Sequence, residues 1–296
     1  MKILVTNHWM AKLGGSETFT YAFAAELKRQ GHSVFLQTNI PGYVSEKLAA
    51  DHGIKNVFAK TDFDVVFANH NTCVQSASML AYTIQTCHGT VPKLEQPSPL
   101  ANAYIAISEE VACHVKNKTS KQAEVIVNGI DCKRFKPIKP ISKKVRKILS
   151  LAQSEEFNND LAQSLKLFGV ELISFNKFTN PVWHIESIIN EVDMVVSLGR
   201  GAYEAMACGR PVLVMDKRPY QEMMGDGLIS PENYNELVGF NCSGRATRNT
   251  NVEYLLSEAI DNYSPELGYW CRENALKNHN IELQTKRYIQ LWKKLM

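Results

Sequence analysis

Short apolar runs alternate along the chain with longer stretches in which apolar residues return every three or four positions. The runs Lys2–Thr6, Ser33–Thr38, Val65–Ala68, Tyr82–Thr86, Ala103–Ile107 and Glu124–Val127 predict short strands buried on both faces. Between them, Glu17–Gln30, Tyr43–His52, Asn71–Leu80 and Glu109–Asn117 predict helices. Phe19, Phe23 and Leu27 give the first helix a core face, Ser16 and Ser108 are placed as N-caps, and Gly31 ends the first helix. The second half repeats the alternation: strands at Val145–Leu151, Val170–Phe175, Met194–Leu198 and Pro211–Met215, helices at Glu155–Phe168 and Ala202–Cys208, then a turn-rich segment. Glu236–Phe240 reads as a weak strand, and Val252–Tyr263, Glu266–His279 and Ile281–Met296 read as helices. Strand–helix alternation of this kind predicts parallel sheets covered by helices, an α/β protein.

The stretch Asp193–Asp216 carries the most chemistry. It predicts strand, glycine turn (Gly199-Arg200-Gly201), helix and strand, with Gly209 ending the helix. In an open parallel sheet, ligands sit beyond the carboxyl ends of the strands, where helix N-termini favour anions. Glu204 lies beside that edge. Its two carboxylate oxygens can accept from two hydroxyls, as in a ribose diol, or it can merely complement the helix dipole. Arg200 is placed to face phosphates. Together these residues suggest a nucleotide.

Composition narrows the setting. The 296 residues suffice for two domains of roughly 140 residues, each with its own core. Hydrophobic content of 45%, charged content of 21% and net charge +3 are those of an ordinary globular protein, with no strong pull toward nucleic acid. Seven cysteines without C-x-x-C spacing imply neither a zinc site nor a disulfide framework, and suit a reducing cytoplasm. Met1-Lys2 runs straight into a strand with no apolar leader core, and no run is long enough to span a membrane.

Several further positions carry candidate chemistry. Gly14-Gly15-Ser16, between the first strand and helix, forms either a tight turn or an anion-binding nest. His88 stands at a strand end, and Gly89 behind it leaves the ring accessible. Asp62-Phe63-Asp64 has D-x-D spacing but reads better as acids at a strand entry than as a metal site. Asn128-Gly129 reads first as a turn. The run Lys133, Arg134, Lys136, Lys139, Lys143, Lys144, Arg146, Lys147 reads as a solvated, proline-marked linker, or as a surface for a polyanion. The last helix bears Ile281, Tyr288, Ile289, Trp292 and Leu295 on one stripe beside four cations. It either packs on a core or lies peripherally on the inner membrane surface.

Gly201–Val214, GAYEAMACGRPVLV, resembles the nucleotide-sugar site of retaining glycosyltransferases of the GT-B type, nearest to glycosyltransferase family 4, also called glycosyl transferases group 1. Gly14-Gly15, His88-Gly89 and Asn128-Gly-Ile-Asp131 with Phe135 and Pro137 match further segments of that family in order. The resemblance implies two Rossmann-like domains facing across a cleft: residues 1–138 on the acceptor side, 139–280 on the donor side, and 281–296 crossing back to the first. It implies transfer of a sugar from a nucleoside diphosphate donor, a UDP- or GDP-sugar, to a hydroxyl, with retention and without metal or other cofactor. Glu204 would hold the ribose. His88 and Arg200 would act at the reacting groups. Gly14, Gly15, Ser16, Lys177, Gly199, Gly201, Ala202 and Tyr203 would complete the donor site. The acceptor would be a carbohydrate or lipid-linked sugar, with modified DNA as a minority alternative; oligomeric state is not legible.

The chain also departs from the family. Val196 stands where the family has its first glutamate, and Leu151-Ala-Gln-Ser154 lacks the usual phosphate-binding arginine, for which Arg200 or Lys177 would substitute. The second domain is short by a strand–helix unit. Two other readings therefore stand beside transfer: a sugar-nucleotide epimerase of the same fold, and a non-catalytic binder of sugar nucleotides or polyanions.

Overall fold

The structure, a computed structural model, describes residues 1–57, 62–218 and 221–296. The chain divides into two compact units: Met1–Gly129 with Ile281–Met296, and Ile130–Asn280.

In the first unit, β1 (Lys2–Trp9), α1 (Gly15–Arg29), β2 (Ser33–Ile40), α2 (Tyr43–His52), β3 (Val65–Ala68), α3 (Asn71–Ala77), β4 (Thr83–Cys87), β5 (Ala103–Ala106), α4 (Glu109–Thr119) and β6 (Ala123–Val125) follow the alternation read from the sequence. The strands form one parallel sheet in the order β2-β1-β3-β4-β5-β6. β3 and β4 are buried at every position; β3 is wholly apolar, and the one large polar side chain of β4, Gln85, donates to the Gln96 carbonyl (3.0 Å) and accepts from the Ser98 N–H (2.7 Å). Asp64 accepts from the Lys2 backbone N–H at 2.7 Å and so ties β1 to the strand beside it, a structural use of the Asp62–Asp64 pair. Ser108 caps α4 through the Val111 N–H.

The closing helix α11 (Ile281–Leu295) packs in this unit. Tyr288 is buried among Phe19, Phe23 and Phe67, with ring centroids 6.3, 4.6 and 5.5 Å away, and its hydroxyl meets Thr86 Oγ1 at 3.3 Å. The apolar stripe of α11 thus serves a core rather than a bilayer. Arg29 pairs with Glu282, and Arg287 donates to the Val125 carbonyl. Gly129 explains itself here, because a Cβ on it would lie 2.5 Å from Ile281 Cδ1 and 3.0 Å from Ile281 Cα. Among the described residues no helix is long and apolar enough to cross a membrane.

The second unit holds β7 (Lys147–Ser150), α5 (Glu155–Leu167), β8 (Glu171–Ser174), α6 (Ile185–Ile189), β9 (Met194–Ser197), α7 (Arg200–Ala207), β10 (Val212–Arg218), β11 (Gln221–Leu228), α8 (Tyr234–Gly239), α9 (Val252–Asp261) and α10 (Pro265–Asn278). Its sheet runs β11-β10-β9-β7-β8, parallel except for β11, which returns antiparallel to β10. Two expectations are corrected. The turn-rich segment contains a strand, and Glu236–Phe240 lies largely in the short helix α8. β11 escaped the pattern because Gly225 and Gly227 break its alternation. Gly225 is required there, since a Cβ would stand 2.4 Å from Leu255 Cδ1.

The second unit also starts earlier than 139. Ile130, Cys132 and Phe135 belong to its core, and the Ile130 N–H donates to the His279 carbonyl at 2.6 Å. The basic run that follows holds onto this unit. Lys139 pairs with Glu191 (2.6 Å), Lys147 with Glu171 (3.1 Å) and Arg134 with Glu186 (2.8 Å), while Asp193 accepts from the Ser142, Arg146 and Lys147 N–H groups.

At the end of β10, Asp216 is buried and paired with Arg218 Nε at 2.6 Å. Burial nevertheless raises its carboxyl from 3.8 to about 6. A group with a raised folded-state pKa favours folding below its unfolded value and loses that contribution as pH rises through the folded one. Relative to Asp216→Asn, wild-type stability is therefore expected to fall by about 2 kcal/mol as pH rises from 4 to 7, which denaturant midpoints of the two proteins across that range would measure.

Candidate functional site

The carboxyl ends of β1, β3 and β4 form the chemically richest edge of the first unit. Asn7-His8 lies near the end of β1, and Asn69-His70 and His88-Gly89 directly follow β3 and β4. Asn7 Nδ2 donates to the Ser16 carbonyl (3.1 Å) and to Thr20 Oγ1 (2.9 Å). Asn69 Nδ2 donates to the Thr6 carbonyl (2.9 Å) and to Thr20 Oγ1 (3.2 Å), and its Oδ1 meets His88 Nε2 at 2.9 Å. Phe19 packs edge-on against the His88 ring, centroids 4.9 Å apart. His88 and the Gly14–Ser16 turn are thus brought together through one buried polar network. His8 Nδ1 contacts Asn39 Nδ2 and Thr72 Oγ1, both at 2.9 Å. His70 is buried at φ 95°, and burial lowers its pKa to about 4, which keeps it neutral.

Ser16 is not the N-cap of the first helix. The helix begins at Gly15, the cap position is Gly14, and no side chain caps it; Ser16 Oγ instead donates to Glu17 Oε2 at 3.1 Å. A Cβ on Gly15 would meet nothing within 4 Å, and its φ is not in the left-handed region. The fold itself gives no reason for glycine there, whereas close approach of a ligand to this helix N-terminus would.

In the second unit the corresponding edge follows β9. Gly199 takes the cap position of α7 at φ 55°, which favours glycine, and again no side chain caps the helix. Its N–H donates to the Cys242 carbonyl at 2.9 Å, and a Cβ there would come 3.3 Å from Asn241 Nδ2. Because α7 starts at Arg200, Glu204 sits one turn in, and the two pair: Arg200 Nε to Glu204 Oε1 is 2.9 Å, with side-chain exposures of 9% and 12%. Burial pulls the arginine pKa down and the glutamate pKa up, and their mutual attraction opposes both shifts. Arg134 also acts on both charges. It is held by Glu186 Oε2 and the Trp183 carbonyl, and its guanidinium lies 5.0 Å from the ring centroids of Trp183 and Phe135. Glu186 in turn meets His184 Nδ1 at 2.9 Å. Two arginines and two glutamates therefore share this edge.

Other expected donor residues divide by role. Ala202 and Tyr203 have fully buried side chains. Tyr203 stacks on His279 at 4.0 Å and contacts Asn241 Oδ1 through its hydroxyl, so only the backbone at these two positions is available to a ligand. Gly201 is packed closely, and a Cβ would stand 2.4 Å from Ser197 Oγ and 3.3 Å from Leu151 Cδ1. Gly201→Ala is expected to cost about 1–3 kcal/mol by overpacking, measured as a lower denaturant midpoint. Lys177 follows β8; its N–H donates to Gln153 Oε1 (3.0 Å) and its Nζ lies 5.0 Å from the Phe178 ring centroid. Val196 is buried within β9. Among the described residues, no group of three or more His, Cys, Asp or Glu is placed to hold a metal ion.

Sequence reasoning missed Asn7, Asn69, Arg134 and Glu186. The signal for the first two was present: of the three Asn-His dipeptides in the chain, two, Asn7-His8 and Asn69-His70, come at the end of an apolar run that predicts a strand.

No family model matches the sequence, and no curated protein matches it. Solved structures do resemble it. The Anabaena protein HepE, determined in complex with UDP and glucose, superposes with a TM-score of 0.67 at 14% identity over 99% of both chains. A glycosyltransferase from Rickettsia africae gives 0.65 at 16% identity, covering 99% of this chain and 97% of that one. The catalytic domain of starch synthase IV from Arabidopsis thaliana, bound to ADP and acarbose, gives 0.62 at 11% identity over 99% and 98%. With its parallel sheets in two Rossmann-like units, the chain is an α/β protein of the GT-B fold.

Proposed function

We propose that this protein is a glycosyltransferase, akin to family 4, that moves a sugar from a UDP- or GDP-sugar to an acceptor hydroxyl with retention and without a metal. The observation that carries the reading is Glu204 behind the uncapped N-terminus of α7, paired with Arg200 at the carboxyl edge of a parallel sheet. Such an edge suits a diphosphate against helix N–H groups and a cation, with a carboxylate one turn away for the ribose hydroxyls. The first unit supplies a second uncapped helix N-terminus at Gly14-Gly15-Ser16 and a wired histidine, His88. In the reaction the bond from the anomeric carbon to the diphosphate oxygen breaks. The bond to the acceptor oxygen forms on the same face, and the acceptor proton passes to the leaving diphosphate. Arg200, Arg134 and the helix N-termini stabilise the charge that develops there. His88 orients the sugar or the acceptor hydroxyl. The acceptor is a carbohydrate or a lipid-linked sugar.

Titration with UDP-, GDP- and ADP-sugars tests the reading. A donor at about 100 times its Kd should stabilise the protein by about 2.7 kcal/mol, seen as a higher melting temperature. No response to any of them would sink it. Release of free nucleotide on adding acceptor marks transfer, an isomerised sugar without acceptor marks an epimerase, and binding with neither marks the non-catalytic protein that Val196 favours.

A further inference from the structure

The network under His88 fixes more than its place. Asn69 has two polar ends, and the chain decides which faces the histidine. The Thr6 carbonyl is an acceptor only, and it lies 2.9 Å from Asn69 Nδ2. Thr20 Oγ1 gives its one proton to the Ser16 carbonyl at 2.8 Å, so toward Asn69 it too is an acceptor. Asn7 consolidates that arrangement: its Oδ1 accepts from the Trp9 N–H (3.1 Å), which turns its Nδ2 toward the Ser16 carbonyl and Thr20 Oγ1. A flipped Asn69 amide would set oxygen against two acceptors in a buried site, at a cost of several unmade hydrogen bonds. The amide oxygen therefore faces His88, and an oxygen acceptor 2.9 Å from Nε2 requires a proton on Nε2.

We propose that Asn69 is a positioning residue that fixes the tautomer of His88: whenever the ring is neutral, its proton sits on Nε2 and Nδ1 carries the lone pair, an acceptor rather than a donor. The role of Nδ1 toward substrate rests on the glycosyltransferase reading; the tautomer does not. A histidine presented in this way recognises a hydroxyl as donor, which is what an acceptor alcohol or a sugar hydroxyl offers. The Nδ1–H tautomer would instead donate and would favour a carbonyl or phosphate oxygen.

The test is the ring 15N spectrum of His88 in the full chain, recorded without ligand at a pH where the ring is neutral. Wild type should show a protonated-type Nε2 and a pyridine-type Nδ1. Asn69→Ala should move the two signals toward each other as the tautomers mix. That variant should fold, because the Thr6 carbonyl keeps the Asn69 backbone N–H (3.0 Å) and Thr20 Oγ1 keeps Asn7; circular dichroism checks this. Thr20→Val leaves the Thr6 carbonyl to hold the amide, so it should retain the wild-type pattern. An Nδ1–H pattern in wild type, or an unchanged pattern in Asn69→Ala, overturns the proposal. Since no donor or acceptor is present, failure to turn over any nucleotide sugar would refute the functional reading and leave the tautomer result standing.

Discussion

Replacing Arg210 by methionine is expected to lower the stability of the second unit by about 3–5 kcal/mol through buried carbonyls left without a donor. Arg210 is only 2% exposed, and among the described residues no carboxylate pairs with it; it is held by four backbone carbonyls. Its Nε donates to Val192 (2.7 Å), Nη1 to Cys208 (3.2 Å), and Nη2 to Lys139 (2.9 Å) and Asn190 (2.8 Å). One side chain thus gathers three segments: the chain before β7, the α6–β9 connection and the end of α7. Methionine fills similar length but donates nothing, so buried carbonyls lose their partner, each at about 1–3 kcal/mol. Arg210→Lys should recover only part of the loss, because an ammonium cannot reproduce the planar spread of donors. Denaturant unfolding reads the effect as a lower midpoint with unchanged slope. A shift below 1 kcal/mol for the methionine variant would refute this account of Arg210.

The second large effect concerns Glu204. From sequence alone, Glu204→Ala looks like a change that weakens donor binding and spares the fold. The pairing with Arg200 alters that expectation, because alanine would leave a nearly buried guanidinium without its carboxylate. Breaking a buried pair from one side typically costs about 3–5 kcal/mol, and the upper part of that range applies where no water reaches the orphan. With exposures of 9% and 12%, and Arg134 adding like charge nearby, about 3 kcal/mol is expected for Glu204→Ala. In an Arg200→Met background the same change should cost far less, giving a coupling of about 1–3 kcal/mol in a double-mutant cycle. Additive effects would show that the pair does not interact in solution. Glu204→Gln, which keeps an acceptor oxygen, is the variant suited to measuring donor affinity without this loss of stability.

The alternation of apolar runs and helical periodicities placed most strands and helices, because each rests on spacing within about ten residues of chain. It also marked the strand–glycine–helix–strand order around Glu204, since Gly199, Gly209 and the apolar run before them are local signals. One local signal was read only in part: Arg200 stands one turn before Glu204, but with α7 started at Ala202 it reads as a phosphate ligand in the turn and not as the i,i+4 partner of Glu204 on one helix face. Similarly, taking Ser16 as a cap displaced the start of α1 by two residues, to Glu17 instead of Gly15.

Composition, element order, the α/β class and the candidate edge beside Glu204 were determined by the sequence itself, because short-range periodicity and turn chemistry encode them. The partners of the candidate residues were decided only by tertiary structure. Asn69 reaches the Thr6 carbonyl because β1 and β3 are neighbours, with Thr6 opposite Ala68, and it reaches His88 because β4 lies on the other side of β3. Tyr203 turned out to be a core residue stacked on His279, and Arg134, one cation in a basic run, was drawn beside Glu204 and Arg200. Such contacts join residues tens of positions apart, and their geometry follows from strand order and helix packing, which no local pattern of hydrophobic and polar positions specifies.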